Sequence, residues 1–141
     1  MFIDASAIVA IIKAEPDADK LLSALHQIEE TRFTSPIARF EAVVSLAVQM
    51  ARARSRVAAT ANDFDEAEEL VNVLFEVLEI KEVQITDEIG QEARRAAQKF
   101  GKICGHPAKL NMGDCFAYAA AKTLGVPLLY KGNDFLKTDL A

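Results

Sequence analysis

Apolar positions in this chain fall into short continuous runs separated by stretches of helical spacing. Phe2-Ile3 is the first run, and it stops at Asp4. Ala7, Ile8, Val9, Ile11 and Ile12 then recur at helical intervals behind Ser6, a suitable N-cap, so the chain begins as strand, turn and helix. Glu15-Pro16-Asp17 interrupts the pattern. Leu21, Leu22, Leu25 and Ile28 mark a packing helix over 18–28, and Arg32-Phe33-Thr34 is a short second strand. Ser35-Pro36 supplies an N-cap and a first helical residue whose missing amide costs nothing, opening a helix to about Arg54. On it Ile37, Glu41, Val44, Val48 and Ala51 are three or four apart and share a face, which turns Glu41 toward the core. Asn62-Asp63 starts another helix with Phe64, Ala67, Leu70, Val71, Leu74 and Leu78 as its stripe. These two helices are expected to pair outside the sheet, where they could carry an oligomer contact. Val83-Gln84-Ile85 reads as a third strand. Thr86-Asp87 begins a helix bearing Ile89, Ala93, Ala96, Ala97 and Phe100, with Gly101 ending it. After the exposed loop from Lys102 to Leu110, Asn111 caps an apolar helix, and Leu128-Leu129-Tyr130 forms a fourth strand before the turn Lys131-Gly132-Asn133-Asp134.

Strands alternating with helices predict an α/β domain with a mainly parallel central sheet flanked by helices. Its ligand crevice should lie beyond the carboxyl ends of the strands. The 141 residues, 51% of them hydrophobic, can bury a core of their own, and no repeat or linker divides them, so 1–141 is read as a single domain. No apolar run reaches the length of a membrane span, and Asp4 arrives where a secretory leader would still be apolar, which predicts a cytoplasmic protein away from membranes. Cys104 and Cys115 are expected as free thiols. With His26 and His106 they are a poor supply for structural zinc, so Cys104-Gly105-His106 reads as a loop.

A net charge of -5 and a pI near 5.1 oppose broad electrostatic adhesion to nucleic acid. That opposition weakens if several acids share one metal site, because bound cations cancel much of the charge locally. Arg52, Arg54, Arg56, Arg94, Arg95, Lys99, Lys102 and Lys109 are the candidate phosphate contacts; solvated helix faces or cations near helix C-termini explain them equally well.

The candidate chemistry rests on four acids at the edges of apolar segments: Asp4, Glu41, Asp114 and Asp134. Asp114 lies three residues after Asn111, where it suits the positive end of a helix. Glu41 on a core-facing stripe would be protonated unless it had a partner, either a basic side chain such as Arg39 or a cation. Hard oxygen donors without His or Cys favour Mg²⁺, with Mn²⁺ as a substitute, over zinc. Paired ions about 3.5–4 Å apart can activate water and stabilise the leaving oxygen of a phosphodiester. No Ser-His or Cys-His arrangement competes with that chemistry.

Phe2-Ile3-Asp4-Ala5-Ser6-Ala7, Glu41 after Ser35-Pro36, Leu110-Asn111-Met112-Gly113-Asp114-Cys115-Phe116 and Lys131-Gly132-Asn133-Asp134-Phe135, in this order, resemble the PIN-domain ribonucleases of the VapC toxin branch. The resemblance spans nearly the whole chain. It implies a PIN-like sheet, Mg²⁺-dependent RNA cleavage, a homodimer, and a small antitoxin that masks the site. Carried over by position, Asp4, Glu41 and Asp114 match the acidic triad and Asp134 the more variable fourth acid, with Asp139 as its rival. Ser6 matches a polar residue beside the triad, and Asn111 a supporting one. The runner-up is an aspartyl-phosphate phosphatase of the haloacid dehalogenase type, suggested by Asp4 after a first strand and by Gly132-Asn133-Asp134 with Asp139. Against it, Ser6 stands where that family has a second aspartate. A non-catalytic protein-binding module is the third reading.

Overall fold

A computed structural model describes residues 1–140. Four short strands, β1 (Phe2–Ile3), β2 (Arg32–Thr34), β3 (Ile80–Glu82) and β4 (Leu128–Leu129), form one sheet in the order β3-β2-β1-β4, every neighbouring pair parallel. The chain builds outward from β1 through β2 to β3, then returns to add β4 on the other side of β1. The direction of growth therefore reverses between β1 and β4, and the carboxyl ends of strands at such a reversal leave an open crevice. Asp4 N–H donates to Leu129 O at 2.9 Å, so the residue just past β1 is pinned to the end of β4.

Side chains alternate across a strand, and the sheet uses that alternation to serve two cores. Ile3 and Leu129 face α1 (Ala5–Ile12), α2 (Ala18–His26), α3 (Pro36–Ala53) and α4 (Ala61–Val77), together with Leu25, Leu46 and Val71. Phe2 faces the opposite way, toward α5 (Asp87–Phe100) and α6 (Met112–Leu124), joining Ile89, Tyr118 and Phe135. Each fully buried side chain of this kind contributes about 1.5–3 kcal/mol relative to exposure.

Six expectations need adjustment. Ser6 does not cap α1: Asp4 is the N-cap and accepts from Ser6 N–H, because the aspartate leaves the strand already in the extended conformation a cap requires. The face of α3 that enters the core is the small-residue one of Ala38, Ala42, Leu46, Ala47 and Ala51, not Ile37-Val44-Val48. Alanines let α1 and α4 approach closely, whereas Ile37, Glu41, Val44 and Val48 lie on a half-buried flank. Thr60, not Asn62, starts α4, in a reciprocal capping box with Asp63. Inward on α4 are Asp63, Ala67, Val71 and Phe75, while Phe64 and Leu70 turn toward solvent. Finally, β3 lies at Ile80–Glu82 rather than Val83–Ile85. Val83 N–H still donates to Thr34 O at 2.9 Å, and Val83 and Ile85, half-buried, pack against the α5–α6 core, so their apolar character reflects a covered connection rather than a ladder. Tyr130 lies just beyond β4, its ring edge against Phe135. Gly101 does end α5, for want of space: a β-carbon there would overlap the carbonyl of Ala97.

The rotation of α4 is fixed by a buried charge. Asp63, fully enclosed, receives Arg56 through both nitrogens of its fork, Arg54 at 2.7 Å and Thr60 N–H at 2.7 Å. The Arg56 hydrogen bonds, aided by Thr60, hold its carboxyl well below the usual carboxylate range. A depressed carboxyl contributes stability that is complete above its unfolded value and is lost as the pH falls below it. Acid unfolding of Asp63→Asn, followed by circular dichroism, should start from a lower stability at neutral pH and fall less steeply below about pH 4 than in the native protein.

Candidate active site

Four elements deliver one acid each to the crevice. Asp4 follows β1 and is buried; Ser6 N–H donates to its Oδ2 at 2.9 Å and Ser6 Oγ donates to the same oxygen. Ser6 Oγ also accepts from Lys131 N–H at 3.0 Å, tying the Asp4 turn to the loop after β4. Asp114 lies in the first turn of α6, where the expected cap is present in both directions. Asn111 Oδ1 accepts from Asp114 N–H at 3.0 Å, and Asp114 Oδ2 accepts from Asn111 N–H at 2.8 Å. Glu41, half-buried on α3, reaches across to the start of α6, so close that a β-carbon on Gly113 would overlap its carboxylate.

Electrostatics bind these groups into one unit. Burial, followed by the charges of Asp4 and Asp114, pushes Glu41 up to about 7. Asp114 is pushed up to about 6, again by burial first, with Asp4 and Asp134 adding to the rise against the Asn111 hydrogen bond. Asp4 is also raised, by burial against the opposing hydrogen bonds from Ser6 and Ala5. Asp134, exposed on the loop after β4, is thus close enough to influence both Asp4 and Asp114.

Asp139 takes no part in the crevice. It accepts from Tyr118 Oη at 2.7 Å and faces Lys99 at 3.6 Å, so between the two rival fourth acids it is Asp134 that lies beside Asp4. Arg39 does not serve Glu41 either, being engaged by Glu68, Glu82 and Asn72. Among the described residues no ion pair involves Asp4, Glu41, Asp114 or Asp134. Nor is any group of three or more His, Cys, Asp or Glu side chains already arranged to hold a metal ion. The acids share a crevice and one another's field, but their oxygens are not gathered around a point.

The donor set nevertheless fits a hard divalent cation: carboxylates alone, no thiolate or imidazole, and no basic neighbour to satisfy them. Gly113 is the part of the site that the pattern of acids does not announce. Its signal in the sequence is a glycine inside the first turn of a helix, where propensity disfavours it and close approach explains it.

A family model described as PIN domain matches residues 1–140. A VapC ribonuclease of Rhizobium meliloti is 45% identical over 145 residues, covering 99% of this chain and 98% of that protein. Ribonuclease VapC42 of Mycobacterium tuberculosis is 34% identical over 140 residues, covering 99% and 96%. Among solved structures, Mycobacterium tuberculosis VapC20, titled a Sarcin-Ricin loop cleaving toxin, superposes with a TM-score of 0.66 at 13% identity, covering 99% of this chain and 95% of that one. A toxin-antitoxin complex from Klebsiella pneumoniae gives a TM-score of 0.65 at 15% identity, covering 98% and 92%. Both structural likenesses concern the fold.

The raised carboxyls carry a pH signature opposite in sign to that of Asp63. A group whose folded pKa is raised adds stability that is complete below its unfolded value and is lost as pH rises through the folded one. In chelator, the melting temperature should therefore fall between about pH 5 and pH 8, through the values near 6 and 7 of Asp114 and Glu41. Glu41→Gln should flatten that fall, and an unchanged slope in scanning calorimetry would contradict the shared field.

Proposed function

The chain belongs to the PIN-domain family, and from that premise we propose that it is a metal-dependent endoribonuclease, the toxin of a toxin-antitoxin pair, which hydrolyses RNA phosphodiester bonds in the crevice between β1 and β4. The observation that carries this reading is the convergence of Asp4, Glu41 and Asp114, with Asp134 beside them, in one field that no basic residue neutralises. Its relatives' names, VapC ribonuclease and ribonuclease VapC42, support the reaction class.

Asp4, Glu41, Asp114 and Asp134 are the proposed metal ligands and catalytic acids, with Ser6 and Asn111 in support, and Mg²⁺ is the proposed ion with Mn²⁺ as a substitute. When bound, such a cation supplies charge stabilisation on the phosphate and lowers the pKa of a water that attacks it. The chain's own part is to hold the donors ready. Ser6 fixes one oxygen of Asp4, and the capping box fixes one oxygen of Asp114. Glu41 closes from the opposite side through the gap left by Gly113. Ser6 in place of a second aspartate speaks against a phosphatase, and the engagement of Asp139 by Tyr118 and Lys99 removes one of the acids that suggested it.

The same proposal takes 1–141 as one nuclease domain acting in the cytoplasm on RNA. Among the described residues no helix is long and apolar enough to cross a membrane. It also includes a homodimer and a cognate small antitoxin. Phe40, Val73 and Val77, all exposed on α3 and α4, offer apolar surface for such contacts, and the toxin-antitoxin complex from Klebsiella pneumoniae shares the fold.

Asp114→Asn keeps volume and capping ability while removing charge, so RNA cleavage with Mg²⁺ or Mn²⁺ should drop at least a hundredfold with no fall in melting temperature. Loss of stability in parallel with activity would instead mark a structural aspartate. The native protein should gain about 2.7 kcal/mol from metal at 100 times its dissociation constant, read as a shift in melting temperature.

Gly113→Ala tests the approach of Glu41 separately. Alanine favours the helix by about 1 kcal/mol, so the fold should survive while calorimetry shows metal binding weakened at least tenfold. Undiminished binding would mean that the close approach of Glu41 to Gly113 is not needed for the metal.

A further inference from the structure

Beside the crevice, between α5, α6 and the 3-10 turn at Lys102–Cys104, lies a cavity of about 550 Å³. Its apolar lining includes Ala93, Ala97, Leu110, Cys115 and Phe116. Asn111 also lines it, the residue that caps the helix carrying Asp114, so the cavity adjoins the proposed reaction centre at the start of α6.

Its charges distinguish it from other apolar hollows. Of the eight cations singled out in the sequence, Arg54 and Arg56 are committed to Asp63, Arg95 to Glu92 and Lys99 to Asp139. Arg52, Arg94, Lys102 and Lys109 have no ion-pair partner among the described residues, and two of these, Arg94 and Lys102, line this cavity. An occupant must therefore offer a flat apolar body and negative charge together. A protein segment of purely apolar side chains would bury both cations unpaired, at a desolvation cost. A nucleotide supplies a base for the apolar walls and a phosphate for the cations.

We propose that this cavity seats one unpaired nucleobase of single-stranded RNA beside the bond being cut, with Phe116 offering a stacking surface and Arg94 and Lys102 holding an adjacent phosphate. The proposal rests on the nuclease reading and deepens it. A lining with few hydrogen-bonding groups reads stacking area rather than base edges, so the pocket selects for an unpaired nucleotide more than for its identity. A base held in a duplex cannot enter it.

Gly90 gives a clean way to fill the cavity. It lies on the wall, and a β-carbon added there meets only the end of Arg94, at 3.8 Å. Gly90→Leu should keep the fold, since leucine is the better helix former. Binding is read by fluorescence anisotropy without divalent metal, using a labelled ten-nucleotide single-stranded RNA and the same strand with three central abasic positions. The native protein should bind the abasic strand about tenfold more weakly; Gly90→Leu should bind the intact strand about tenfold more weakly and lose nothing further on the abasic one. Arg94→Ala should reduce the slope of log affinity on log salt by about 0.7. Equal binding of both strands by the native protein overturns the proposal, as does native-like binding by Gly90→Leu. A change of mass for Gly90→Leu in light scattering overturns it in favour of a second copy as occupant, and selective loss of antitoxin binding overturns it in favour of a protein partner. Cleavage of the intact strand with Mg²⁺ or Mn²⁺ is followed separately: its absence from the native protein sinks the nuclease reading while the binding comparison still decides the pocket.

Discussion

Carboxyl groups that each raise the others' affinity for a proton would move apart if their backbones allowed it, and here the backbones do not. Asp4 is held by the strand it terminates and by both donors of Ser6, and Asp114 by the reciprocal cap of α6. Hydrogen bonds to the charged form partly offset burial at both residues, yet burial and mutual repulsion prevail, and Glu41, with no such help, is pushed up to about 7. The site thus stores an unfavourable field of the kind a cation would relieve. Stability must come from elsewhere: two cores on opposite faces of a small parallel sheet, and a clasp of two arginines on Asp63 remote in sequence from Asp4 and Asp114.

The contrast between Asp63 and Glu41 shows what charge pairing does in this fold. Both are acids on the paired helices α3 and α4, and both leave bulk water at least in part. Asp63 meets two guanidinium groups and becomes a fixed anion. Glu41 meets two other acids and becomes a group that titrates near neutrality. The nearby cation that could have quieted Glu41, Arg39, is drawn away by Glu68 and Glu82. Overall charge says little about such distinctions. A chain of net charge -5 keeps two cations, Arg94 and Lys102, on one apolar cavity because most of its other prominent cations are spent on local acids.

Much of this was legible in the sequence wherever a signal was local. The alternation of strands and helices, the caps at Ser35 and Asn111, and the strand at Arg32–Thr34 follow from a few adjacent residues. The crevice position of Asp4 and Asp134 follows from their placement just past parallel strands. What eluded the sequence depended on tertiary partners that apolar periodicity does not show. The inward face of α3 is alanine-rich, and only the closeness of α1 and α4 makes alanine a better core residue there than Ile37 or Val44. The rotation of α4 is set by a buried ion pair that apolar periodicity does not see. Val83 and Ile85 are apolar because α5 and α6 cover them, although the strand has already ended.

The order of the strands has a consequence for how the protein comes into being. β4 reaches the sheet last, and the acid that follows it, Asp134, joins segments made long before: Asp4 at the start and Glu41 in the first third of the chain. A ribosome adding roughly 5–20 residues per second spends on the order of ten seconds between Glu41 and Asp134. Within that interval the nascent chain can pair β1 with β2, and β2 with β3 once β3 has been made, but β1 keeps an open edge where β4 will dock. The crevice is bounded on one side only. The crevice is therefore completed only by a late step of translation, and a chain interrupted before β4 leaves an unfinished sheet.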